Sequence, residues 1–140
     1  MKANKLDRIS DFINEHHVLS LATSNGQSLS VCSLFYAYSK ETLSFIVASS
    51  DDTTHIQHSK QNSSVAGNIL LETKTVGKIQ GLQFRGEIST LEEKDLKSLY
   101  FKAFPYALAL NPKLWKIEVD FFKMTDNRLG FGKKIIWQEA

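Results

Sequence analysis

The fold is decided by the stretch Asn25-Gly-Gln-Ser-Leu-Ser-Val-Cys-Ser-Leu-Phe-Tyr-Ala-Tyr38, in which a turn signal precedes a long alternating run. Asn25-Gly26 predicts a two-residue type I′ hairpin turn, because both residue types tolerate a positive φ. Residues 28–38 then alternate with the period of two that a β-strand requires. One face of this strand would carry Leu29, Val31, Ser33, Phe35 and Ala37, and the other Ser30, Cys32, Leu34, Tyr36 and Tyr38. Because both faces carry bulky side chains, we expect both to be covered, as in a closed barrel or a dimer interface.

Outward from this hairpin, the chain is interpreted as short strands joined by turns, with helices at the periphery. An amphipathic helix is predicted at 6–13 and the other arm of the hairpin at 18–23. Further strands are predicted at 43–48, 65–71, 76–91, 115–125 and 133–138. Thr90-Leu-Glu-Glu93 has the spacing of a capping box and predicts a helix that runs to about Phe104. The sequence therefore predicts a mainly β (α+β) protein, an antiparallel barrel of six or seven strands with peripheral helices.

Two finer predictions concern the long strands. Gly77, Gly81 and Gly86 fall within the predicted strand 76–91, where glycines usually indicate bulges, barrel corners or close approach of another backbone. In the next predicted strand, Trp115, Ile117 and Val119 alternate with polar residues and are expected to point inward.

The composition is that of a globular protein and excludes several function classes. Hydrophobic residues make up 42% of the 140 residues and charged residues 23%, which suits a single domain over residues 1–140. The net charge of +2 is too small to indicate nucleic-acid binding. No apolar run approaches the ~18 residues of a membrane span, and the charged N-terminus lacks the core of a signal peptide. With one cysteine, Cys32, the protein is expected to be cytoplasmic.

The segment 43–67 is where we expect function to reside. Its apolar run at 43–48 gives way to small hydroxyl and acidic residues at 49–54, which are the types that cap a helix N-terminus. A strand that leads into a helix in this way can dock an anion, because unpaired N–H groups and the helix dipole point to the same spot. Ordinary capping is the other use of these residues, and the local sequence leaves both open.

Histidines in this segment suggest a second possibility. His55 and His58 lie three residues apart and would share a helix face, and Asp51 and Asp52 precede them. Together they could form a two-histidine, one-carboxylate metal site. A polar helix face collects the same residues without any metal, and we assign no metal here.

Two further groups have competing interpretations. Cys32 lies within an apolar strand and is interpreted as a small buried hydrophobe rather than a nucleophile. Lys133 and Lys134 could hold a phosphate while Trp137 stacks on a ring. A solvated strand end beside a core indole accounts equally for these three residues.

Four segments together resemble a known family. They are His17-Val-Leu-Ser-Leu-Ala-Thr23, Thr54-His55 with Val65-Ala-Gly67, Gly81-Leu-Gln-Phe-Arg-Gly-Glu87, and Thr125-Asp-Asn-Arg-Leu-Gly-Phe-Gly-Lys-Lys-Ile-Ile-Trp137. With the order of elements, they resemble the pyridoxamine 5′-phosphate oxidase-like, FMN-binding split-barrel superfamily, and within it the bacterial UPF0306 proteins. The resemblance covers nearly the whole chain and implies a dimeric split barrel.

The resemblance also implies a flavin site between two subunits. In that superfamily a Ser-Arg-Lys triplet at a helix start holds the FMN phosphate, and it aligns here with Thr53, Thr54 and His55. Ser49 matches a hydroxyl that contacts the phosphate, and Gln83 a glutamine that reaches the flavin. The strand whose backbone runs beside the ring corresponds to Ser33, Leu34, Phe35 and Tyr36.

This sequence departs from the family pattern at the phosphate. A threonine and a titratable histidine replace two fixed cations, which removes two charge-assisted hydrogen bonds worth about 1.5–3 kcal/mol each. Lys60 or Lys133 could compensate. Lys133, Lys134 and Trp137 are the candidate wall of the flavin site.

From the resemblance we expect an FMN-binding homodimer that acts as an oxidoreductase on a small-molecule substrate, with no nucleic-acid or membrane partner. The alternative is a non-enzymatic dimer that stores or senses a flavin or another planar ligand. No catalytic residue is identified from the sequence.

Overall fold

Eight strands and four α-helices make up residues 4–140, the part of the chain that the computed structural model describes. The strands are β1 Val18–Ser24, β2 Leu29–Phe35, β3 Ala37–Ser39, β4 Ser44–Ala48, β5 Ser64–Leu70, β6 Gln80–Thr90, β7 Leu114–Asp126 and β8 Lys134–Gln138. The helices are α1 Lys5–Glu15, α2 Thr54–Gln61, α3 Lys94–Ala103 and α4 Pro105–Leu110, with 3₁₀ turns at Val76–Lys78 and Asn127–Leu129.

All strand pairings are antiparallel, in the order β2-β1-β5-β6-β7-β4-β3, with β8 also paired to β7. The long strand β7 pairs with β6 along one edge, while β4 and β8 lie end to end on its other edge. Because β2 and β3 terminate the two ends of this order yet follow each other in the chain, the sheet curls into a half-barrel. The predicted antiparallel split barrel with peripheral helices is confirmed.

The inside of the barrel is filled by aromatic rings. The ring centroids of Phe45 and Phe84 are 4.8 Å apart, and Tyr36 meets Phe45 edge to face at 5.1 Å. Phe45, Phe84 and Phe122 are fully buried. As predicted, Trp115, Ile117 and Val119 also point inward. These side chains supply large apolar area, and their burial is the main favourable term in folding.

Helix α1 closes the core and is fixed to it by a hydrogen bond. Asn4 caps the helix by accepting from the Asp7 backbone N–H at 2.8 Å, and Ile9, Phe12 and Ile13 are buried against the barrel. The Tyr36 hydroxyl donates to the Ile13 carbonyl at 2.6 Å. Burial raises the pKa of Tyr36 well above its ordinary value, so this donor keeps its proton.

Several sequence-based details are wrong, each for a local reason. The strand count is eight because the predicted strand 28–38 divides into β2 and β3 at Tyr36. The hairpin loop is not a type I′ turn. Within the loop 25–28, only Gly26 has a positive φ, of 95°, and the Asn25 side chain accepts from the backbone N–H groups of Gln27 and Ser28. A four-residue loop therefore replaces the two-residue turn.

The predicted capping box and part of the glycine prediction also differ from the structure. Thr90 is the last residue of β6 and pairs with Trp115, so α3 begins only at Lys94 and its N-cap residue makes no side-chain capping bond. Gly86 does lie at a bulge, where a Cβ atom would come within 2.1 Å of the Glu118 carbonyl oxygen. Gly77 lies in a 3₁₀ turn instead, and Gly81 is in regular register.

Candidate functional site

The start of α2 is held in place by the end of β4 and the start of β7. The Ser49 backbone N–H donates to the Lys113 carbonyl at 3.1 Å, and the Trp115 indole N–H donates to the Ser49 carbonyl at 2.9 Å. These two bonds fix the turn between Ala48 and α2 against β7. The predicted site segment is therefore a rigid strand–turn–helix.

Helix α2 has no side-chain cap at its N-terminus. Thr53 occupies the N-cap position, but its hydroxyl donates to the Ser50 carbonyl at 2.9 Å rather than accepting from the helix. The Thr53 side chain therefore does not cap the backbone N–H groups of the first turn, which point out of the N-terminal end of the helix. Such a terminus carries a partial positive charge and suits an anion.

His55 lies beneath this terminus and is buried. Its Nε2 atom is 2.6 Å from the Ser49 hydroxyl and 3.4 Å from the Thr53 hydroxyl, so three predicted site residues meet here. Burial lowers the pKa of His55, which keeps the ring neutral at neutral pH. Thr54, the first residue of α2, is exposed. The cluster therefore offers hydroxyls, backbone N–H groups and a neutral imidazole.

Two lysines stand beside the cluster, and Asp51 pairs with both. The Asp51 carboxylate lies 3.2 Å from the Lys60 Nζ and 3.0 Å from the Lys113 Nζ. Hydrogen bonds from Lys113 and then Lys60 lower the pKa of Asp51. An incoming anion must compete with Asp51 for these cations. Lys113 was missed in the sequence because it lies 62 residues from its partner.

His58 does not join His55 in a metal site. Its Nδ1 lies 3.0 Å from the Thr23 hydroxyl and its Nε2 lies 3.2 Å from the Ser28 hydroxyl. The Ser28 hydroxyl donates a hydrogen bond to the Asn25 side-chain oxygen, so its oxygen can accept from an Nε2–H group of His58. In that tautomer the Thr23 hydroxyl donates to Nδ1. Both ring nitrogens are thus engaged in tying α2 to the hairpin. Among residues 4–140, no group of three or more His, Cys, Asp or Glu residues is arranged to hold a metal.

The four residues predicted to lie beside the flavin ring, at the end of β2 and just after it, alternate between the two faces of the sheet. Ser33 and Phe35 face outward, whereas Leu34 and Tyr36 face the core. Tyr36 donates its backbone N–H to His17, so in the alternating antiparallel pattern Ser33 and Phe35 direct their N–H and C=O groups away from β1. β2 ends the strand order, so these groups lie at an open edge.

Gln83 belongs to a polar row on the same outer face. The pairing register places Ser33, Ser20, Asn68, Gln83 and Lys123 side by side across β2, β1, β5, β6 and β7. Gln83 is exposed. Sequence reasoning missed Ser20, Asn68 and Lys123, because only the long-range register aligns them with Gln83.

The C-terminal candidates lie far from the start of α2 within one chain. Ala48 pairs with Leu114 and Lys134 pairs with Thr125, so the two groups are separated by eleven residues of β7, or about 35 Å. The Lys134 ammonium donates to the Gly132 carbonyl at 3.0 Å. The neighbouring Lys133 is exposed.

Trp137 faces inward, in contrast to the exposed lysines. Its ring packs 6.0 Å from that of Phe122, against the core. This geometry favours the core-indole interpretation of Trp137 over a stacking wall. A ligand in the same chain that reaches Ser49 cannot also reach these residues.

Comparisons with known proteins agree with the fold. The chain is similar to a UPF0306 protein from Cronobacter sakazakii, with 38% identity over 138 residues that cover 96% of each sequence. No protein-family model matches the chain. No helix within residues 4–140 is long and apolar enough to cross a membrane.

Solved structures share the fold at low sequence identity. A heme binding protein from Mycobacterium smegmatis has a TM-score of 0.81 and 11% identity over 99% of this chain. The chain spans 59% of the length of that protein. A FAD-binding protein from Mesorhizobium loti has a TM-score of 0.71 and 14% identity, covering 84% of this chain and 89% of that protein.

Proposed function

The chain belongs to the UPF0306 family, and from its split-barrel fold we propose that it binds FMN at the interface of a homodimer. We further propose that it acts as an oxidoreductase on a small-molecule substrate. The FAD-binding neighbour from Mesorhizobium loti supports a flavin as the ligand. When bound, the flavin would supply the hydride chemistry, and the protein would supply binding, orientation and electrostatic tuning.

The observation that carries this proposal is the uncapped N-terminus of α2. Its first-turn N–H groups, the Ser49 hydroxyl and the ammonium groups of Lys60 and Lys113 lie near the junction of β4 and α2. These are the donors that a phosphate monoester requires. The residues present therefore fit a phosphate, although the fixed cations of the family pattern have been replaced.

Different groups of the chain would bind the phosphate and the ring. At the phosphate end, the neutral His55 orients the Ser49 hydroxyl, and the two lysines supply charge that Asp51 partly neutralises. At the ring end, the open backbone edge at Ser33 offers N–H and C=O groups to a planar heterocycle. β2 and β4 contact each other, which supports a ligand that reaches from one end to the other.

The charge balance around Asp51 provides the test. We expect FMN to bind more tightly than riboflavin, because only FMN carries the phosphate. Lys113→Met should weaken FMN roughly tenfold while leaving riboflavin unchanged. Asp51→Asn should strengthen FMN, because it releases both lysines. Isothermal titration measures the affinity of each protein for FMN and for riboflavin, with the exposed loop variant Lys74→Met as a charge-matched control.

Two outcomes would contradict the proposal. Equal affinity of the wild-type protein for FMN and riboflavin would show that the α2 terminus does not bind the phosphate. A colourless purified protein that takes up neither flavin would show that a flavin is not the ligand.

A second candidate is a dimer that stores or senses a planar ligand without catalysis. The neutral His55 and the lysines already paired with Asp51 favour it, because they leave the phosphate end weaker than in the family pattern. The heme binding neighbour extends the choice of planar ligand. Adding NADH or NADPH to flavin-loaded protein separates the two. Reduction followed by reoxidation by an added acceptor supports the enzyme, and a flavin that stays oxidised for minutes supports the binding protein.

A further inference from the structure

A cavity of about 410 Å³ opens on the outer face of β5, β6 and β7. It is lined by Ala66, Gly67, Gln83, Phe84, Arg85, Phe121 and Lys123. Its volume lies within the range of small-molecule sites. It also contains Gln83 and Lys123, the end of the polar row on β6 and β7.

Gly67 on β5 allows the sheet beneath this cavity to pack closely. Gly67 pairs with Phe84, and a Cβ atom at Gly67 would come within 2.3 Å of the Phe84 ring and of the Ser20 carbonyl oxygen. No larger residue fits at this position without displacing the barrel core. Next to it, Ala66 faces the longer Arg85 side chain across the strand pair. The floor of the cavity is therefore shaped by the packing of the sheet.

Two cationic side chains, Arg85 and Lys123, line the cavity. The Arg85 guanidinium carbon lies 4.0 Å from the centroid of the Phe121 ring. Among residues 4–140, the ion pairs within 4.0 Å include neither Arg85 nor Lys123. The carboxylates of Glu87, Asp120 and Glu139 line a neighbouring cavity that shares Arg85 and Phe121 as a wall.

We propose that this cavity binds the carboxylate or phosphate group of a small-molecule anion, and that this anion is the substrate of the proposed flavin site. A guanidinium stacked on an aromatic ring keeps its N–H edge available for bidentate contact with such a group. Lys123 adds a second charge and Gln83 an amide that can donate or accept. The assignment of this molecule as the substrate rests on the proposed flavin function, whereas anion binding in the cavity does not.

Matched probes test the proposal on the full-length protein. Benzoate and phenyl phosphate represent the two anion types, and benzamide is the neutral isostere of benzoate. We expect Arg85→Gln/Lys123→Gln to weaken both anions at least tenfold in NMR titrations and to leave benzamide unchanged. Lys74→Gln, an exposed lysine outside the cavity, is the control for loss of charge. Thermal melting of each variant verifies that it is folded.

The outcomes separate this inference from the flavin proposal. Benzoate binding that is equal in the wild type and the double variant, or equal to that of benzamide, overturns the anion site whatever the flavin does. Flavin failure together with variant-sensitive benzoate binding overturns only the flavin proposal. If the double variant loses affinity for FMN but not for riboflavin, the cavity takes the cofactor phosphate, and the substrate assignment is overturned.

Discussion

His55 is a buried, titratable side chain, and this determines how the protein responds to acid. Burial lowers its pKa from the ordinary 6.5, and burial also lowers that of His16. In the unfolded chain both rings take up a proton near pH 6.5, whereas the folded state resists protonation to lower pH. Stability is therefore full above pH 6.5 and falls as the pH drops through the folded pKa values, by at most about 1.4 kcal/mol per pH unit for each ring.

Urea unfolding between pH 5 and 8 measures this dependence. We expect His55→Gln to have a shallower slope than the wild type between pH 5 and 6.5. The carboxylates of Asp51 and Asp126 do not interfere, because their pKa values are lowered from 3.8. An unchanged slope in His55→Gln would show that this ring is not desolvated.

Asp126 is a buried carboxylate whose loss should be costly. It accepts from the Arg128 backbone N–H, Nε and Nη2 at 3.0 to 3.1 Å, and Arg8 of α1 lies 3.6 Å away. We expect Asp126→Asn to lower the free energy of unfolding by about 2–4 kcal/mol, because it removes the charge from three hydrogen bonds. Chemical denaturation measures the loss, and the exposed Asp120→Asn is the control. A cost below about 1 kcal/mol for Asp126→Asn would contradict this role.

At the scale of elements, local patterns predicted much of the sheet but not its turns. The alternation of Trp115, Ile117 and Val119 identified the inward face of β7, because side-chain direction in a strand depends only on the period of two. The bulge at Gly86 was likewise visible. The capping box failed because Thr90 is occupied in the β6 ladder, and pairing with a strand 25 positions later overrides a local cap.

The candidate site was predictable only where its residues are close in sequence. Ser49, Thr53 and His55 meet as expected, since one strand–turn–helix contains all three. Lys113 and Lys123 reach the surface around the site through the pairing of distant strands, and single-sequence patterns do not contain that register. The same limit applies to the charge of His55, because its burial depends on what packs over it.

The attachment of α2 to the hairpin rests on His58. The Thr23 hydroxyl, which is buried, bonds to the His58 Nδ1, and Ser28 bonds to the other ring nitrogen. We expect Thr23→Val to cost about 1–3 kcal/mol, because it leaves a buried nitrogen without its donor. Hydrogen exchange should then quicken in α2 more than in β6. The exposed Thr90→Val is the control, and uniform exchange changes across the sheet would contradict a local clamp.

At the scale of the whole molecule, the outer face of β2 is the most exposed apolar surface of the sheet. Leu29, Val31 and Phe35 are 86%, 72% and 55% exposed. The ring centroids of Phe35 and Phe104 lie 5.6 Å apart, which links this strip to the residue before α4. Tyr106, Leu108 and Leu110 of α4 are also exposed. A contiguous apolar surface of this kind indicates an interaction site. The α2 terminus and Lys134 lie about 35 Å apart along β7, so a ligand site that includes both, as the sequence predicts, would need a second copy.

We therefore predict that the protein is a homodimer through the β2 face and that Val31→Asp converts it to a monomer. Dimers with a ligand site between subunits bury more than ~1,200 Å², and a charge at the centre of such an apolar surface loses its hydration on association. Light scattering at micromolar concentration measures the mass, and FMN affinity should fall with the dimer. Val76→Asp places the same charge on an exposed apolar residue outside β2 and should remain dimeric. A wild-type monomer, or a Val31→Asp dimer with unchanged FMN affinity, would show that the β2 face is not the interface.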